Sequence, residues 1–185
     1  MAEPTESFLP QSAAPVGTSR HVDTGARALD DVMDRCARGD DAAFDELYRG
    51  AAPRVRGFLL RLCGDHALAD DLTQEVFLRI HRARGSFATG AAALPWMLAI
   101  ARNGFRDHVR RAQLRPATRV RGDNAGTDPE AAPETRGDEA LFGREMLDVV
   151  RDVLLTLPVT QREAFVLIRF EGLSVSEAAQ ILGAT

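Results

Sequence analysis

From Phe44 onward the apolar positions recur three and four residues apart: Phe44, Leu47, Tyr48, Ala51, Val55, Phe58, Leu59 and Leu62. That spacing predicts an amphipathic helix with one buried stripe. Asp40 or Asp41 can cap its start, Pro53 predicts a kink or break where a backbone donor is missing, and Gly64-Asp65 ends it. A second stripe of Leu68, Leu72, Val76 and Ile80 runs to about Arg84, followed by the loop GSFATGAAA and a third long helix with Pro95 in its first turn, where proline does no harm. Helical signals return at Leu141. Leu147, Val150, Val153, Leu154 and Leu157 form one stripe that Pro158 stops. Thr160-Gln161-Arg162-Glu163 reads as a capping box opening a helix to Phe170, with a turn at Glu171-Gly172. Ser174-Val175-Ser176-Glu177 reads as a second box opening a short helix that buries Ala178, Ala179, Ile181 and Leu182 before Gly183. That short helix and glycine turn are the first half of a helix-turn-helix, whose second helix is absent from the sequence.

The expected fold is all-α, two small helical domains joined by a flexible linker. Residues 1–26, rich in Pro, Ser, Thr, Gly and Ala, read as a disordered tail; 27–115 form the first domain; 116–139, rich in proline and glycine, form the linker; 140–185 form the second domain. A 46-residue unit is small for an independent core, so residues 140–185 are expected to fray or to lean on the first domain or on a partner, with Phe165, Ile168 and Ile181 short of cover.

With 45% apolar and 27% charged residues the chain is ordinary soluble material. Its longest apolar runs, such as residues 149–159, are broken by charge or proline short of the roughly 18 residues of a spanning helix. The N-terminus lacks the pattern of a secretory signal, so a cytoplasmic location and no membrane partner are expected. Cys36 and Cys63 match no CxxC and read as packing thiols, and His21, His66, His81 and His108 form no HExxH, so neither metal nor cofactor is expected.

Charge changes the picture more. The net charge is −4, yet residues 102–121 hold seven arginines (102, 106, 110, 111, 115, 119, 121) against one acid, Asp107, a local formal charge of +6. Such concentration in an acidic protein is the electrostatic footprint of a nucleic-acid surface. All 23 basic residues are arginine, so only the clustering is informative. Arg102, Arg106 and Arg110 make one basic rail, with Arg111 and Asn103 beside it. Guanidiniums suit phosphates, Asn103 can read an adenine edge, and Trp96 or Phe87 can stack on an unpaired base. Trp96 equally suits the core, beside Leu94 and Ile100. The acidic second half of the linker can mask this basic surface or serve only solvation.

The second helix has an opposite character. Asp70, Asp71, Gln74, Glu75 and Arg82 fall on the side away from its apolar stripe, with Leu78 among them. An acidic face with an apolar centre can dock on a basic partner; a solvated face with a stray leucine is the alternative. The carboxylates read as uniformly exposed, without the contrasting environments that acid–base catalysis needs. No GxxxxGK[ST], GxGxxG or GxSxG occurs, so no catalytic residues and no enzymatic activity are expected.

Together AFDELYRG (43–50), ADDLTQEVFLRI (69–80), PWMLAIARNGFRDHVRR (95–111) and LPVTQREAFVLIRFEGLSVSEAAQILG (157–183) resemble a bacterial extracytoplasmic-function sigma factor. The resemblance implies a promoter-melting module in the first domain and a module for the minus-thirty-five element in the second. It implies that Asp70, Asp71, Gln74 and Glu75, with Leu78 among them, bind the clamp of core RNA polymerase. It places Trp96, Asn103, Arg106, Arg110 and Arg111 in the helix that approaches minus-ten promoter DNA, and the GSFATGAAA loop where the family captures an extruded base. The linker is implied to thread toward the RNA exit path. An anti-sigma factor is a further implied partner. Because the helix that enters the major groove is missing, the chain as written is expected not to read a minus-thirty-five element. The competing readings are a helix-turn-helix regulator that binds duplex DNA without core polymerase, and a helical protein with a purely structural or interaction role.

Overall fold

A computed structural model describes residues 24–114 and 149–183, and among these residues the secondary structure is entirely helical. Of the expected tail, residues 1–23 lie outside the described residues, as do the linker at 116–139 and the stripe position Leu147, while residues 24–26 are not tail but the first turn of a helix. Helix α1 spans Thr24–Ala37, α2 Asp41–Cys63, α3 His66–Ala83 and α4 Ala93–Leu114, with a 3-10 turn at Arg84–Ser86. Beyond the linker, α5 covers 149–156, α6 spans Val159–Phe165 and passes into a π-helical turn at Val166–Phe170, and α7 spans Val175–Leu182.

The α2 stripe is buried as its spacing requires, with Leu47, Val55, Phe58, Leu59 and Leu62 fully enclosed, but Tyr48 is 42% exposed. Asp40 is the cap, accepting the Ala43 amide at 3.1 Å. Pro53 does not break the helix. It lies on the exposed side, where water can satisfy the carbonyl that proline leaves without a donor, while the stripe continues beneath it. In α3, Leu72, Val76 and Ile80 face inward with Phe77, and Leu78 is 58% exposed, as the wheel predicts. In α5, Leu154 is buried but Val153, expected on the stripe, is 59% exposed.

The two capping boxes behave differently. Ser174 and Glu177 form theirs as expected. Thr160 and Glu163 do not: α6 begins two residues earlier than that box requires, at Val159 with Pro158 before it and no side-chain cap. The reason is tertiary. Both side chains are engaged by arginines of α4.

Residues 149–183 thus lean on the first unit, as their size suggested, and their buried Leu154, Val166 and Leu167 join its apolar core. Phe165 and Ile168 stay 45% and 39% exposed, and Ile181 is half-buried. Ala178 is enclosed, whereas Ala179 and Leu182, expected inside, are half-buried. Where α2 ends, Gly64 adopts φ 73°, and a Cβ there would sit 2.4 Å from Leu155 Cδ1. Leu155 Cδ2 and Cγ would follow at 3.0 and 3.2 Å, so the whole side chain must shift in addition to the backbone strain. Gly64→Ala is expected to cost at least about 1–2 kcal/mol, seen as a lower midpoint in thermal unfolding; an unchanged midpoint would show that the left-handed cap is not required.

Candidate nucleic-acid interface

The arginine-bearing helix α4 is fixed at its start by α1. Asp30 Oδ1 accepts the Ala93 amide at 2.7 Å, and the Asp34 carboxylate accepts the Gly90 amide at 3.1 Å. Burial pushes the Asp30 carboxyl above its ordinary value, and the Ala93 hydrogen bond partly offsets this. These two carboxylates tie down the loop between α3 and α4. Within that loop Phe87 is only 5% exposed, its ring meeting Trp96 edge-on at 5.3 Å. Phe87 is therefore core, not a stacking platform, because its partner ring and the apolar interior cover it. Trp96 is half-buried, as is Asn103.

The arginines split into two groups. Arg102, expected on an exposed rail, is 8% exposed. Its Nε donates to Glu163 Oε2 at 3.1 Å, and its Nη1 and Nη2 donate to the carbonyls of Ile181 and Leu182 at 2.9 and 3.3 Å. It closes the last turn of α7, where carbonyls lack helical partners. Arg106 forks onto the same carboxylate, Nε to Oε1 at 2.8 Å and Nη2 to Oε2 at 2.7 Å, and reaches the Thr160 hydroxyl at 3.2 Å. Hydrogen bonding to Glu163 raises its already high pKa further, against a smaller desolvation effect. Glu163 has no exposed surface.

Arg110 and Arg111 instead face solvent, with side chains 66% and 60% exposed. Arg110 pairs with Asp107, and Arg111 donates to the Asp107 carbonyl at 3.2 Å. The rail is thus cationic and open only toward its C-terminal end; Arg115, Arg119 and Arg121 lie outside the described residues.

The acidic face of α3 is less uniform than the sequence suggested. Asp70 pairs with Arg56, whose hydrogen bond holds its carboxyl below the usual range against slight desolvation. Glu75 contacts Arg79 and lies 3.6 Å from Arg111. Asp71 and Gln74 are exposed. Beside them Gln74, Phe77, Leu78 and His81 of α3 join Phe44 and Tyr48 of α2 around an open, mostly apolar groove of about 490 Å³. Tyr48 stands edge-on to Phe77 at 4.7 Å, and His81 edge-on to Phe44 at 4.9 Å. Phe44, Tyr48, Phe77 and His81 are not among the residues that the sequence marks as a docking face. The signal was present: 74, 77, 78 and 81 share one helical face, and 44 and 48 lie one turn apart. Among the described residues no cluster of His, Cys, Asp and Glu is arranged to hold a metal, and no helix is long and apolar enough to cross a membrane.

A family model for sigma-70 region 2 matches residues 47–115, and one for sigma-70 region 4 matches residues 147–185. The RNA polymerase sigma factor CarQ of Myxococcus xanthus is 38% identical over 151 residues, covering 82% of this chain and 83% of CarQ. The extracytoplasmic-function sigma factor SigC of Mycobacterium tuberculosis is 36% identical over 147 residues, covering 80% and 75%. Among solved structures, RpoE of Bartonella quintana with the anti-sigma factor NepR aligns with a TM-score of 0.57 at 28% identity over 77% of this chain and 84% of RpoE. CnrH, solved with the cytosolic domain of CnrY, aligns with a TM-score of 0.59 at 22% identity over 87% and 84%, a likeness of fold.

Proposed function

The chain belongs to the extracytoplasmic-function sigma factors, subunits that direct RNA polymerase to promoters, and from that membership we propose how its parts divide the work. Residues 27–115 act as the polymerase-binding and promoter-melting module, 116–139 as a linker, and 140–185 as the region 4 module. Asp71, Gln74 and Leu78, with the apolar groove beside them and Asp70 and Glu75 at its margin, dock on core polymerase. Arg110, Arg111 and, once released, Arg106 and Arg102 hold the phosphates of the opened strand, which positions it without reading it. Asn103 and the open side of Trp96 face the bases. Opening a promoter extrudes a base at a cost of a few kcal/mol, so a stacking surface beside a phosphate rail suits the task. The chain itself performs no bond chemistry; RNA synthesis belongs to the core enzyme, and the site of action is the cytoplasm. An anti-sigma factor is a fitting partner, because RpoE, over a quarter identical, was solved with one.

The observation that carries this reading is the two family matches in order across a linker, with relatives more than a third identical over most of their length. The test combines purified core polymerase with the chain on a library of promoter fragments. Chain-dependent transcripts, and preference of the holoenzyme for a single non-template strand over duplex, are the expected result. Tight binding to duplex operator DNA without polymerase, and no transcript, would favour the regulator reading instead.

A further inference from the structure

The contact between the first unit and the C-terminal unit, apolar in its core, also encloses two acids. Glu163, without exposed surface, receives Arg102 and Arg106. A second buried acid, Glu171, 5% exposed, receives Arg54 Nε at 2.8 Å on its carboxylate and Arg54 Nη2 at 2.7 Å on its carbonyl. Arg61 lies 3.7 Å from the same carboxylate and 4.6 Å over the Phe170 ring. Two acids from residues 149–183 are therefore each gripped by arginines of the first unit.

The geometry at Arg106 is the decisive detail. Its Nε and Nη2 meet the two oxygens of one carboxylate, the fork that a guanidinium also presents to a phosphate. Glu163 and a nucleic-acid phosphate therefore compete for the same donors. Arg102 is more deeply committed, since its remaining nitrogens hold the end of α7. With these contacts made, α4 cannot offer the inner half of its rail, and α7 lies against the helix proposed to hold the opened strand.

Such a contact is suited to reversal. A buried ion pair gains little over its separated, hydrated partners, because desolvation offsets most of the attraction. On separation both acids and all four arginines regain water, so these ion pairs add more to the specificity of the closed arrangement than to its strength.

We propose that this arrangement is a self-inhibited state, in which Glu163 stands in for a promoter phosphate on Arg102 and Arg106 and Glu171 latches the same closure through Arg54. The inference rests on the reading of α4 as the strand-binding helix. Apparent affinity for the strand is then the intrinsic affinity reduced by the fraction of molecules that are open.

The test uses the full chain and a fluorescein-labelled 30-nucleotide single strand of mixed sequence, followed by anisotropy at low salt, with the radius of gyration measured in parallel by X-ray scattering. Glu163→Gln and Arg54→Ala are both expected to enlarge the radius and to tighten binding by about 5- to 10-fold. Arg54→Ala controls for charge: it removes a positive group, so simple electrostatics predicts weaker binding, whereas release of the latch predicts tighter. Adding Arg110→Ala and Arg111→Ala to either variant should remove the gain. An unchanged radius in both variants, or a wild type that binds as tightly as either in an Arg110- and Arg111-dependent way, overturns self-inhibition while leaving the strand-binding role intact. A larger radius with no binding that depends on these arginines in any form overturns the strand-binding role, and the inference with it.

Discussion

Substituting Asp71→Arg and Leu78→Arg in the same chain is expected to abolish its capture by core RNA polymerase, a loss of at least about 100-fold in affinity. Leu78 is 58% exposed at the rim of the groove formed with Tyr48, Phe77 and His81, the position of an apolar anchor that a partner encloses. Anchors of this kind contribute about 2 kcal/mol or more each, and a charge introduced at one adds desolvation to the lost contact. Asp71 supplies the acidic complement. This pair is more informative than Asp70 with Glu75, because those acids also hold Arg56 and Arg79, so their reversal would disturb α2 and α3 internally. Asp71 and Leu78 are exposed, so the thermal midpoint should move little, within the range of ordinary surface substitutions. A pull-down with wild-type yield from the double variant would mean that this face of α3 is solvent-exposed in the holoenzyme and that polymerase binds elsewhere.

The parts of this molecule legible in its sequence are those decided within a few turns of one helix. The α2 and α3 stripes, the Asp40 cap, the outward Leu78 and the Ser174–Glu177 box all follow from neighbours three or four residues apart. Two departures, at Thr160–Glu163 and at Arg102, share one cause. Thr160–Glu163 carries the same local pattern as Ser174–Glu177, yet Glu163 reaches Arg102 and Arg106, 61 and 57 residues earlier in the chain. A capping hydrogen bond is worth about 1 kcal/mol, and two charge-assisted contacts to an enclosed carboxylate outweigh it. Arg102 lies enclosed rather than on an open rail for the same reason, since periodicity gives the face on which a residue lies but not which distant segment covers it. At Pro53, where the sequence predicts a kink or a break, no break occurs, because a long stripe buried on both sides of it holds the helix continuous.

The interface also contains a cation, Arg162, that no acid among the described residues pairs with, and its removal should be the most damaging single change to the closed fold. Arg162 is 9% exposed. Its Nη1 donates to the Leu62 carbonyl in the last turn of α2, and its Nη2 donates to the carbonyls of Leu155 and Leu157 at 3.0 Å each, where α5 ends. Burial lowers its pKa, but an arginine begins high enough to remain charged. One guanidinium thus occupies the negative ends of two helices, whose final carbonyls have no partners within their own backbone. Arg162→Ala would leave three carbonyls at a junction sealed by Leu155 against Gly64. With hydrogen bonds to a charged group worth about 1.5–3 kcal/mol and further cost for acceptors left dry, the expected loss is about 3–5 kcal/mol. Arg162→Lys should recover less than half of it, because a compact ammonium cannot span two helix ends as a planar fork does. Urea unfolding of the full chain measures both losses. A cost for Arg162→Ala below about 1 kcal/mol would show that water reaches these carbonyls once the guanidinium is gone, and that apolar contact rather than this cation joins α5 and α6 to α2.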